Sequence, residues 1–240
     1  MLGFKKIISV VAASAIALSL CSCSLFDKDN TADLEGFDIL RKAMDTYNKQ
    51  SSGGIEVYDE VKQVTEQKFI YWYDEVDVLT YYLEKADDNG GVYKEYTSGY
   101  SYFVEENGVG EELMKSDERY RFYDREFATH PQTTDKVFYF SDEGVIEDTL
   151  KVNSDKSGSI LYRYDPEKAG MGIEGGKLES FSTEYFFDEN EVITHFVQIA
   201  QGSYDDGEEF IYKYTIKIIP ESEVGPIDNP IKVTEKPQEE

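Results

Sequence analysis

The chain has 240 residues, with 49 Asp and Glu against 24 Lys and Arg and a formal charge of −25 at neutral pH. A field this acidic repels nucleic acid and anionic lipid headgroups, which argues against a nucleic-acid binder or a protein held flat on a membrane by basic patches. Its two cysteines, Cys21 and Cys23, both lie near the N-terminus, so the body is not a small scaffold stapled by disulfides.

Lys5 and Lys6 precede an apolar stretch, residues 7–20, broken only by small Ser and Ala. It is too short to span a bilayer and reads as a secretory signal. The stretch ends in Leu20-Cys21-Ser22-Cys23, which resembles the bacterial lipoprotein box: a branched apolar residue, a small residue before the cut, then the cysteine that is acylated. Cys23 fits that spacing, whereas Cys21 follows the bulky Leu20. The resemblance implies a signal peptide over 1–22, a diacylglyceryl group with palmitate-class chains on Cys23, and attachment to the extracytoplasmic face of the bacterial cell membrane. Two acyl chains, at about 0.8 kcal/mol per buried CH₂, anchor stably where one is marginal. The competing reading is an ordinary cleaved signal with two incidental cysteines.

Residues 23–33 combine the lipidated cysteine with a polar, short-sided tether. Leu34, Phe37, Leu40, Met44 and Tyr47 then recur at three- and four-residue steps, with Asn30 or Asp33 as N-cap and Ser51-Ser52-Gly53-Gly54 as stop. This predicts one amphipathic helix, whose apolar stripe requires a sheet to pack on.

Beyond Gly54 the chain is rich in Tyr, Phe, Val, Ile and Thr and reads as strands. Residues 71–96, 139–164 and 185–214 share one grammar: strand, Asp-Glu turn, strand, Asp/Asn/Ser-Gly turn, strand. The first two keep register, aligning Asp74 with Asp142, Gly90 with Gly158 and Tyr96 with Tyr164. Turns at matching offsets predict consecutive antiparallel hairpins, from internal duplication or from independent use of the same turn chemistry. In the clearest strand, Phe210, Tyr212, Tyr214, Ile216 and Ile218 alternate with Ile211, Lys213, Thr215, Lys217 and Ile219.

Residues 111–127, with Met114, Tyr120, Tyr123 and Phe127, are open to a second helix, or to a strand at Tyr120-Arg121-Phe122. After Ile219 come Pro220, Pro226, Pro230 and Pro237, four of the six prolines. They predict an irregular segment in which Ile231 to Val233 can pair at an edge, followed by a disordered tail over 234–240. The fold class expected is α+β and β-rich: a large curved antiparallel sheet, a half-barrel-like meander, with an N-terminal amphipathic helix and a possible second helix on one face. A single domain fills 34–233.

A helix first, then a long meander rich in Tyr and Phe behind a lipoprotein box, resembles the lipoprotein-carrier superfamily of the LolA, LolB and LppX type over residues 34–233. The resemblance is one of order and texture, and no family motif here fixes a site residue. It implies a half-barrel with helices across its concave face and acyl chains or other apolar ligands held between.

Four signals bear on chemistry. Gly170-Met171-Gly172-Ile173-Glu174-Gly175 matches a dinucleotide-binding glycine pattern, but a strand-like segment follows where a phosphate-binding helix should begin, so it reads as a loop. Asn153, Asp155, Ser157, Gly158 and Ile160 occupy calcium-loop positions, but Tyr164 stands where the bidentate acid is required; a hairpin turn is favoured over weak calcium binding. His130 and His195, the two histidines, lack partners at zinc spacing. Carboxylate pairs are too abundant to diagnose a glycosidase.

No cofactor, metal site or catalytic residue is therefore expected, and the leading expectation is non-catalytic binding of a lipid or other apolar or amphipathic ligand. Phe210, Tyr212, Tyr214 and Ile216 are the candidate pocket lining, against the alternative that those rings fill a core. An envelope-assembly or protein-interaction module is the first alternative and a hydrolase with dispersed catalytic residues the second.

Overall fold

The computed structural model describes residues 34–47, 49–75, 78–86, 90–99, 101–117, 119–120 and 142–234. The signal peptide, Cys23, the tether, His130 and residues 235–240 lie outside them.

Among the described residues, eleven strands form one open, curved antiparallel sheet. A first meander comprises β1 (Ser52–Asp59), β2 (Val64–Tyr73), β3 (Leu79–Ala86), β4 (Val92–Ser98), β5 (Ser101–Glu106) and β6 (Val109–Glu112). A second comprises β7 (Val145–Val152), β8 (Gly158–Tyr164), β9 (Gly176–Phe187), β10 (Ile193–Tyr204) and β11 (Glu209–Ile219). The two join where β1 pairs with β11, from Gly54 opposite Ile219 to Asp59 opposite Tyr214. The order is therefore β6-β5-β4-β3-β2-β1-β11-β10-β9-β8-β7, and residues 113–144 connect the two outermost strands.

Among the described residues the hairpin grammar is realised as short turns between neighbouring strands, and residues 139–141, the first strand of the second segment, lie outside them. The calcium-like segment is the β7–β8 turn, closed by Asn153 N–H donating to Ser157 O at 2.7 Å with Lys156 at φ 70°. The glycine run lies in the β8–β9 loop and leads directly into strand β9. Two expectations shift. Ser52, Gly53 and Gly54 do not stop the helix but open β1; at Gly54 a side chain would meet Phe69 O at 2.1 Å, so glycine permits the close β1–β2 approach there. Glu111 and Glu112 belong to β6, not to a second helix, and residues 121–127 of that proposed helix lie outside the described ones.

One face of the sheet carries the main core. Tyr71, Tyr81, Tyr162 and Tyr185 are fully buried there, beside Phe69, Phe181 and Phe196. Helix α1 (Phe37–Tyr47) lies across this inner face and buries Phe37, Ile39, Leu40, Met44 and Tyr47. Each such side chain contributes about 1.5–3 kcal/mol, which holds a helix too short to persist alone. Its start is fixed beside β7 and β8, where Glu35 N–H donates to Asp148 Oδ2 at 2.7 Å and the Tyr162 hydroxyl donates to Glu35 O at 3.0 Å. Its end packs Tyr47 edge-on against Tyr71 of β2, ring centroids 6.2 Å apart.

The outer face carries charges in register. Lys217, Glu56, Lys68, Glu84, Lys94 and Glu105 stand opposite one another in turn on β11, β1, β2, β3, β4 and β5. The last pair closes to 2.6 Å. A one-residue slip would turn this row onto the buried face, so it specifies register more than it adds stability.

After β11 the chain straps the outer face of the first meander. Ser51 N–H and Oγ–H both donate to Glu221 Oε1, and the Tyr96 hydroxyl donates to Ile227 O at 3.1 Å. Val233 forms a parallel bridge with Gly110 of β6, and Thr234 N–H donates to Gly110 O at 2.7 Å. Thr234, the first residue assigned to a loose tail, is thus hydrogen-bonded to the sheet.

Candidate functional site

The inner face opens at one end. Where α1 finishes above the β9–β10 turn and the end of β11, a cleft of about 430 Å³ is bounded by α1, residues 188–194 and residues 217–223. Its position follows from strand lengths. The first β10–β11 pair is His195 opposite Lys217, so Ile193 and Ile219 run past the paired region and the strands part there. Tyr47, Val192, Ile193 and Ile218 give the cleft an apolar wall, and Lys42 and Glu191 close one side through a 2.7 Å ion pair. That pair is exposed and adds little to stability. Gln50 lines the cleft, and its Oε1 is buried without a hydrogen-bond partner. An acceptor left in that state costs about 1–3 kcal/mol.

A second cleft of about 410 Å³ lies on the outer face, between Glu56, Lys68 and Lys217 of the charged row and the strap at 223–227. Lys217 and Glu223 line both clefts, so the two flank the end of β11 from opposite sides.

The residues expected to line a pocket lie elsewhere on β11. Tyr214 and Ile216 are buried in the main core, and Phe210 and Tyr212 pack half-buried against it. Phe210, Tyr212 and Tyr214 form a row of rings, with centroids 5.0 and 6.2 Å apart, and Tyr212 shares a hydrogen bond with Tyr204. At about 3.3 Å per residue, Phe210 is roughly 26 Å along the strand from Ile218. None of the four lines either cleft; Ile218, the next residue of the same alternating face, lines the inner one.

Sequence reasoning also missed three buried carboxyls, Asp59, Glu66 and Glu95. Glu95 on β4 accepts from the Tyr93 hydroxyl at 2.7 Å and the Tyr81 hydroxyl at 3.4 Å. Burial raises its pKa above the ordinary carboxylate value, against the lowering effect of those hydroxyls and of Lys85. Asp59 and Glu66 flank Lys62 at the β1–β2 turn, with Lys62 Nζ 2.8 Å from Glu66 Oε1 and 3.7 Å from Asp59 Oδ2. Burial raises Glu66 too, and its Oε2 has no partner. Asp59 accepts from the N–H groups of Val61 and Lys62, which ties the turn. All three carboxyls read as structural hydrogen-bond centres, since none lines either cleft.

His195 stacks on Phe186 of β9, centroids 4.5 Å apart, with Nδ1 2.9 Å from Thr194 Oγ1. Burial lowers its pKa below the ordinary histidine value. Among the described residues, no group of three or more His, Cys, Asp or Glu side chains is placed to hold a metal ion, and no helix is long and apolar enough to cross a membrane.

No protein-family model matches the chain, and no curated protein matches it. Among solved structures it is similar to LprF from Mycobacterium bovis, at 10% identity and a TM-score of 0.44, over 82% of this chain and 98% of that one. It is also similar to the lipoprotein LppX of Mycobacterium tuberculosis, at 10% identity and a TM-score of 0.39, over 75% and 91% of the two chains. Similarity this distant carries no argument about ligand or activity.

Proposed function

We propose that this chain is a non-catalytic lipoprotein, tethered to the extracytoplasmic face of the cell membrane through Cys23, that binds an apolar or amphipathic ligand in the cleft between α1 and the β9–β10 turn. The observation that carries the reading is the cleft itself. Its volume of about 430 Å³ falls within the usual range for small-molecule sites. Tyr47, Ile193 and Ile218 take the apolar body, while Gln50 and the Lys42–Glu191 pair face the polar end.

The test is titration of the folded full chain with a fluorescent medium-chain acyl probe, read together with the near-UV circular dichroism of its tyrosines. Saturable uptake with that signal retained supports the reading. Uptake only by a state that has lost the signal is molten-globule behaviour and overturns it.

A further inference from the structure

The outer cleft is floored by two rows of the sheet. In one, Ile219 of β11 and Ile70 of β2 lie on either side of Gly54 of β1, which puts no side chain between them. In the next, Lys217 and Lys68 lie on either side of Glu56. The roof is the strap at residues 223–227. It is held down on both sides of Gly225 and Pro226: the Ser52 hydroxyl lies 3.2 Å from Val224 O, and the Tyr96 hydroxyl donates to Ile227 O at 3.1 Å. The space of about 410 Å³ between roof and floor is thus formed by the chain's own contacts, and its volume suits a small molecule.

The charges that line it are balanced in sign. Lys68 and Lys217 are matched by Glu56 and Glu223. Among the described residues, none of these four side chains makes an ion pair or a hydrogen bond, whereas farther along the same outer row Lys94 and Glu105 close to 2.6 Å. Neighbouring strands are about 4.8 Å apart, so the long side chains of Lys68 and Lys217, one on each side of β1, can reach a common group between them. A simple anion in this cleft would be opposed by Glu56 and Glu223, and a simple cation by the two lysines. A ligand that carries both charges a short distance apart satisfies both pairs through charge-assisted hydrogen bonds. Ile70, Ile219, Val224, Pro226 and Ile227 offer apolar surface beside them.

We infer that the outer cleft binds a zwitterion with a short apolar body, the chemistry of an α-amino acid such as leucine. Its carboxylate accepts from Lys68 and Lys217, its ammonium donates to Glu56 and Glu223, and its side chain lies over Gly54 between Ile70 and Ile219. The sheet separates this site from the cleft beside α1, and the ligand is of a different class.

The experiment is equilibrium dialysis of the full chain in mild detergent against labelled L-leucine. The competitors are 4-methylpentanoate, which lacks the ammonium, and 3-methylbutylamine, which lacks the carboxylate. The parent is expected to bind leucine saturably and each competitor at least about tenfold more weakly. Lys68→Gln and Glu56→Gln are the variants, because both residues line this cleft and not the inner one. Glutamine keeps each position polar, and circular dichroism checks the fold. Each variant should weaken leucine binding about tenfold. Glu56→Gln should leave competition by 4-methylpentanoate undiminished, and Lys68→Gln that by 3-methylbutylamine. The inference is overturned by the absence of saturable leucine binding up to about 10 mM, by a competitor as tight as leucine, or by unchanged leucine binding in either variant. Acyl-probe uptake by the inner cleft should be the same in the parent and both variants, so the two sites succeed or fail separately.

Discussion

Gly110 on β6 and Val233 near the end of the chain are joined in a parallel bridge so close that a side chain at 110 would meet Lys232 O at 2.1 Å. That contact closes one edge of the sheet and fixes the strap over Tyr96, which is 7% exposed although it lies on the outer face. Gly110→Val should displace the strap at a cost of about 1–3 kcal/mol. Limited proteolysis is the check: cleavage within 224–234 should accelerate in the variant, and an unchanged cleavage rate would show that the strap does not depend on this approach.

Glu95 gives a pH signature. Its folded-state pKa is raised by burial above the unfolded value of 4.5, so the folded protein binds the extra proton. This group's contribution is most favourable below the unfolded pKa and declines as pH rises from there through the folded pKa. Glu95→Gln keeps an acceptor for Tyr93 without the buried charge. Denaturant unfolding should show the variant gaining on the parent as pH rises from 4 to 7, with the smallest difference at the acid end. A difference independent of pH would mean that Glu95 ionises in the fold as it does in water.

The anchor rests on Cys23. Metabolic labelling with a fatty acid should mark the parent and Cys21→Ser but not Cys23→Ser, which should be released from the membrane. Label retained by Cys23→Ser would refute the assignment.

Much of the sheet was legible because its local patterns agree with its pairing. The alternation of Phe210, Tyr212, Tyr214, Ile216 and Ile218 predicted one buried face for β11, and the Asp-Glu and Gly turns predicted consecutive hairpins. The pairing of β1 with β11 was not legible, because strands so distant in sequence carry no local sign of each other. Ser52 to Gly54 were misread because glycine serves equally to end a helix and to let strands approach closely. On β4 both Glu95 and Tyr96 are buried, one under the inner face and one under the strap. A strand covered on both faces loses the alternation from which its buried residues would be read. The cleft was hidden for a related reason: Gln50, Ile193 and Ile218 come from three elements that meet at the end of the sheet, and no spacing within any one of them marks the site.

The most direct measurement of the central claim is the same acyl-probe titration on Thr46→Phe and Tyr214→Asp. Thr46 is an exposed helix residue that lines the cleft, and its hydroxyl donates back to Lys42 O, so a ring there fills the space at little cost in stability. The account predicts that Thr46→Phe weakens probe binding about tenfold with its melting temperature nearly unchanged. Tyr214→Asp, which buries an unpaired charge in the core, should instead mainly unfold the protein. Undiminished binding by Thr46→Phe, or a stable Tyr214→Asp that has lost the probe, would contradict it and move the ligand from the cleft to the row of rings on β11.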